Sequence, residues 1–246
     1  MYNEIYLMLF DNDNKMSLTT KTGEKVIIRL EVNPRARRLI LRLDARAREA
    51  VAIAPSHSAL DEAAKFAEEK CEWLAANLKT LPTRVPLTHD AIFQFRGHPC
   101  RISLDGDGRT ATLKSGTPQI LYVPGAPETT GQRVMRFLRK SARTDLTNAV
   151  ARYCSVLNVE ARKLTIKDTR SRWGSCTSAG NIAFSWRLIM APPSVLEYVA
   201  AHECAHLLEM NHSASFWQHV ARCCPNWKSE RQWLHHNGRD LQAVTF

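Results

Sequence analysis

Three histidines and Glu203 lie within eleven residues, in the order His202, Glu203, His206 and His212. Residues four apart share a face of an α-helix, so His202 and His206 can bring two ring nitrogens to one ion. Glu203, beside them, is placed to accept a proton from a metal-activated water, the general-base role at this spacing. Catalytic zinc keeps three protein ligands and an open position, and His212 is the nearest third donor. The expected chemistry is hydrolysis at one Zn²⁺ per chain, with His202, His206 and His212 as metal ligands and Glu203 as the catalytic residue. The competing reading is a set of solvated or structural histidines. The preceding stretch Val195–Ala201 argues against it, because it is apolar on most sides and buried histidines beside a carboxylate need partners. His219, His235 and His236 are read as surface or structural.

The ligand spacing repeats that of the metzincin motif, but Glu209 stands where that motif has glycine, and no methionine follows Met210. Asn211, which tolerates left-handed backbone, is expected to turn the chain out of the helix instead. Cys204 falls on another face and is read as a small buried apolar residue. Phe216 and Trp217 are expected to pack behind the ligand loop.

The elements that must position these residues follow from periodicity and breakers. Pro192 and Pro193 start the metal helix, with Ser194 onward as its first turns. Before it, a strand at Lys163 to Lys167 leads into Arg170–Cys176, with Asn181 to Trp186 as hairpin partner. A long helix from Glu128 to Leu157 carries a stripe of Val134, Leu138, Leu146, Val150 and Tyr153. Upstream, short strands are expected at Ala91 to Phe95, Pro99 to Leu104, Ala111 to Leu113 and Ile120 to Val123. Further strands at Val26 to Val32, Leu39 to Leu43 and Ala50 to Ala54 precede a single helix from Ala59 to Leu78, capped by Ser58. The fold class is α+β: an N-terminal tail over 1–24, a β-rich region over 25–125 and a metal-binding catalytic region over 126–246.

Composition sets bounds. A hydrophobic fraction of 44% in 246 residues is that of a globular chain able to bury a full core. No apolar run approaches the ~20 residues of a membrane span, so no membrane association is expected. The first ten residues lack a basic leader and a small-residue cleavage pattern and are not read as a signal peptide; translation could begin at Met1 or Met16. Seven cysteines without a CxxC pair fit a reducing, cytoplasmic setting. The net charge of +10 calls for an anionic partner or substrate. Arg35, Arg37, Arg38, Arg42, Arg46 and Arg48 crowd one strand-like region, either a solvated basic face or a surface for weak nucleic-acid contact.

The order Ser171-Arg172-Trp173-Gly174-Ser175-Cys176, Trp186-Arg187-Leu188-Ile189, Ala191-Pro192, Tyr198-Val199, His202-Glu203-Cys204-Ala205-His206, Asn211-His212-Ser213 and Phe216-Trp217 resembles the YgjP-like metallopeptidase-domain family. The resemblance implies a zincin-like catalytic region, zinc on His202, His206 and His212, and Glu203 as base. It differs at Cys204, where the family has an apolar residue. It leaves two substrates open, a peptide or the pyrophosphate bond of a nucleoside triphosphate (UTP). Arg170, Arg172, Arg187 and Ser175 are candidate substrate-binding residues, since guanidinium and hydroxyl groups near the metal would suit phosphate or a developing oxyanion. No Walker-type phosphate loop is present. A third class is a DNA-associated protein with a distant likeness to SprT-type proteases, which would account for the charge.

Overall fold

The computed structural model describes residues 14–170 and 172–246. The chain divides into two compact units, the second being Arg84–Phe246. The expected boundary at 125 is therefore too late. The strands after Thr83 share a core with the helices of the C-terminal half, through Phe93, Phe95, Ile102 and Leu121, so they belong to the unit that carries His202, His206 and His212. The tail over 1–24 lies partly outside the described residues, and where it is described it carries a strand, β1 (Lys15–Thr19), in which Met16 is buried.

In the first unit β1 is followed by β2 (Lys25–Val32), β3 (Ile40–Asp44) and β4 (Glu49–Ala54), in the sheet order β1-β2-β4-β3. β2 and β4 run parallel; the outer pairs are antiparallel. Alternation puts Val26, Ile28 and Leu30 on one face with Ala50, Ala52 and Ala54. The small β4 residues let two helices, α1 (Leu60–Glu69) and α2 (Cys71–Lys79), approach through Ala63, Ala64, Ala67 and Leu74. The single expected helix is thus broken at Lys70, and Ser58 does not cap it; its hydroxyl bonds that of Ser56 instead. On the other face Arg29 contacts Glu31, Glu49 and Asp44, while Arg42 pairs with Glu31 at 3.3 Å. Arg48 donates to the carbonyls of Leu81 and Pro82. The strand face read as basic is therefore a lattice of ion pairs; the exposed arginines of that stretch are Arg35, Arg37 and Arg38 of the β2–β3 loop and Arg48 just before β4.

The second unit opens with β5 (Val85–Pro86), β6 (Ile92–Phe95), β7 (His98–Ser103), β8 (Thr112–Lys114) and β9 (Gln119–Tyr122), the last four forming a sheet in the order β6-β7-β9-β8. α3 (Thr130–Leu157) follows, burying Val134, Leu138, Leu146 and Val150 as its spacing requires. Next come β10 (Lys163–Lys167), β11 (Gly174–Cys176) and β12 (Asn181–Ser185), in the order β10-β12-β11. β12 is not the hairpin partner of β10: it lies parallel to it and forms the antiparallel hairpin with β11. α4 (Pro193–Ala205), α5 (Ala214–Cys223), α6 (Trp227–Ala243) and β13 (Val244–Thr245) complete the chain, β13 pairing with β5.

α4 is the axis of this unit. It packs against α3, α5, α6 and β11, and nine of its thirteen residues are buried, as an all-round apolar sequence demands. Its entry is fixed by the β6–β7 turn, where Arg96 and Gly97 both take positive φ, the geometry of a two-residue hairpin turn. The amides of Arg96 and Gly97 donate to the carbonyls of Ile189 and Met190, and a side chain on Gly97 would press on Pro192 at 3.0 Å. Among the described residues no helix is long and apolar enough to cross a membrane.

Candidate metal centre

His202 occupies the last turn of α4 and His206 caps its end. The chain then leaves the helix through short-range bonds from the amides of Leu207, Leu208 and Glu209 to the carbonyls of Cys204 and Ala205. Asn211 does not take left-handed backbone, contrary to expectation; its side-chain oxygen accepts the Ser213 amide at 3.0 Å, making the turn by side-chain mimicry. Because this exit needs no positive φ, a glutamate can stand at 209. Ser213 then caps α5 by accepting the Phe216 amide. His212 is held between these two polar turns.

The three imidazoles form a nearly equilateral triangle, with ring centroids 4.9, 5.1 and 4.9 Å apart. One nitrogen from each lies within 4.8 Å of the others, and the Nε2 atoms of His202 and His212 are 3.3 Å apart. Two nitrogens each about 2.05 Å from a tetrahedral ion are separated by about 3.3 Å, so this pair fits one zinc. His206 donates from Nδ1 to the Glu209 carbonyl at 2.9 Å, which frees Nε2 as a ligand. Burial and its histidine neighbours push His202 down to about 3, and burial lowers His206, so both rings are neutral and ligand-competent at neutral pH. Phe216, fully buried, underlies all three rings at 4.5 to 4.9 Å, and Trp217 stands 5.9 Å from His212. His219, His235 and His236 do not join the cluster.

Glu203 is 5% exposed, and among the described residues its Oε2 has no hydrogen-bond partner. Burial pushes its carboxyl up to about 8, against the pull of Arg172. A buried carboxylate without a partner is costly and implies an intended one. The backbone of β11 presses directly on it: a Cβ at Gly174 would fall 2.6 Å from Glu203 Cγ and 2.7 Å from Cδ. Only glycine leaves space for the acid. Beside it a cavity of about 200 Å³ is walled by Trp173, Tyr198, Val199 and Leu234 and floored by His202 and Glu203. Gly238 of α6 lets Trp173 seat itself there, since a Cβ would meet the indole at 3.0 Å.

The other expected site residues divide. Arg172 is exposed and acts electrostatically on Glu203, and Ser175 lies one residue beyond Gly174 on β11. Arg170 is exposed on the loop before β11. Arg187 does not reach the site. It is 1% exposed, pairs with Asp168 at 3.0 Å, donates to the carbonyls of Leu241 and Val244 at 2.8 Å and stacks on Trp186. Its guanidinium ties the end of α6 to the core, so the expectation that it binds substrate is corrected. Two residues were missed. Tyr198, four before His202, lines the cavity, and its phenol is pushed up to about 12 by burial. Arg231 on α6 lies over Trp217 and adds positive potential at His202 and Tyr198. Helical spacing signals Tyr198; nothing local in the sequence signals Arg231.

Among curated proteins no match is found. One similar solved structure is the crystal structure of the metallopeptidase zymogen of Pyrococcus abyssi abylysin, at 19% identity and a TM-score of 0.35, covering 38% of this chain and 96% of that one. The model of the YgjP-like metallopeptidase domain matches residues 37–237, a span that takes in the whole cluster of His202, Glu203, His206 and His212, and the chain belongs to that family.

Proposed function

We propose that the protein is a zinc-dependent peptidase with a zincin-like site, in which His202, His206 and His212 hold one Zn²⁺ and Glu203 is the catalytic base. The observation that carries this reading is the buried, unpartnered Glu203 carboxylate beside three converging imidazoles. When bound, zinc supplies a Lewis acid that brings the pKa of water from about 15.7 toward about 7. Glu203 takes a proton from the attacking water at Oε2 and delivers it to the leaving group, and its apolar surroundings keep its basicity high enough for both transfers. Tyr198, in the cavity wall, and Arg172, the cation that acts on Glu203, are the donors assigned here to negative charge developing on a substrate oxygen.

Peptide is favoured as substrate because β11 is the edge strand of its sheet and begins at the Glu203 carboxyl. An extended chain can pair with such an edge and carry its carbonyl past the catalytic groups. The second reading, hydrolysis of the UTP pyrophosphate bond, draws on the positive charge of Arg172 and Arg231. The test is parallel assay of zinc-loaded wild type and Glu203→Gln against quenched-fluorescent peptides and UTP. Peptide cleavage by the wild type, reduced about 10²- to 10⁴-fold in the variant, is expected. UTP turnover without peptide cleavage would replace the peptidase reading, and wild-type rates in the variant would remove Glu203 as base.

A further inference from the structure

Arg133, Arg136, Arg139, Lys140 and Arg143 fall within eleven residues of α3, with no carboxylate among them. Helical spacing puts Arg133, Arg136, Phe137, Lys140 and Thr144 on one face. That face, together with Arg96 of the β6–β7 turn and Arg109 of the loop before β8, lines a groove of about 300 Å³ that shares no residue with the metal centre. Five cations line it and no acid does. Arg96 is neutralised by a bidentate pair with Asp145 at 2.8 and 2.9 Å, which leaves Arg109, Arg133, Arg136 and Lys140 without an ion-pair partner among the described residues.

Four unneutralised cations brought from two separate elements into one concavity repel each other, and a multiply charged anion offsets that repulsion. The hydroxyls of Thr110 and Ser141 add neutral donors to the same walls. Guanidinium and ammonium groups with nearby hydroxyls suit phosphoryl oxygens, and the half-buried Phe137 ring offers a surface against which a base can stack. We infer that this groove binds a phosphoryl polyanion, supplied either as a free polyphosphate or as the backbone of a single-stranded nucleic acid.

The test is fluorescence anisotropy of a labelled oligothymidylate with the full chain at low salt, inorganic tripolyphosphate serving as competitor and, separately, as thermal stabiliser. The double variant Arg136→Glu with Lys140→Glu changes two exposed side chains, and its melting curve checks that it folds. It is expected to bind about tenfold or more weakly and to lower the salt slope by about one per side chain. A control with the same charge change on the first unit, Arg35→Glu with Arg37→Glu, is expected to stay within about twofold of wild type. Oligonucleotide binding lost in the first variant identifies a strand as the source. Stabilisation by tripolyphosphate alone, lost in the same variant, identifies a free polyphosphate. Absence of both at low salt, or an equal loss in the control, overturns the inference.

Discussion

Glu203 is the residue on which the proposed chemistry turns, and Gly174 is what leaves room for its carboxyl. Gly174→Ala would drive a methyl group into the carboxyl, an overpacking that costs about 1–3 kcal/mol and displaces the acid. The expected outcome is a folded, metal-binding protein with greatly reduced turnover; wild-type turnover would show that the acid tolerates displacement. Protonation gives a second prediction. In metal-free protein the Glu203 carboxyl is pushed from 4.5 to about 8 by burial. Between these values the native state keeps a proton that the unfolded chain releases. Its contribution to stability is therefore fully present below about pH 4.5 and lost as pH rises through about 8. Metal-free wild type is expected to lose stability between about pH 6 and about pH 9 by denaturant titration, and Glu203→Gln to lack that component. Identical pH slopes in the two would show that Glu203 does not titrate in this window.

At the scale of elements, helix α4 and the convergence of His202, His206 and His212 were legible because histidine spacing and all-round apolarity are local signals. The strand at Lys163–Lys167 and the long helix ending at Leu157 were legible for the same reason. Pairing was not. β10 and β12 read as a hairpin because they are close in sequence, yet β11 is the antiparallel partner of β12, and it lays Gly174 against Glu203 of α4. Arg187 misled for a related reason: a guanidinium near a metal motif looks functional until its acceptors, the carbonyls at the end of α6, are brought in by the tertiary fold. Replacing Arg187 by Met removes the buried guanidinium's bonds to those carbonyls and to Asp168 and is expected to cost about 3–5 kcal/mol. A thermal melt checks this, and an unchanged midpoint would return Arg187 to the list of candidate substrate-binding residues.

At the scale of the whole molecule, every group of the candidate centre lies in Arg84–Phe246, which has its own apolar core. A chain beginning at Arg84 is expected to fold cooperatively and take up metal as the full chain does, checked by calorimetric titration with zinc; failure to fold would show that the first unit is required. The boundary was misplaced in the sequence reading because short strands on either side of Pro86 look alike, and only their cores separate them. The central claim, one metal on three histidines, is tested most directly by elemental mass spectrometry of purified wild type and His212→Ala. About one zinc per wild-type chain, lost or strongly weakened in the variant, is the predicted result. Full zinc in the variant, or none in wild type after zinc is added back, would contradict it.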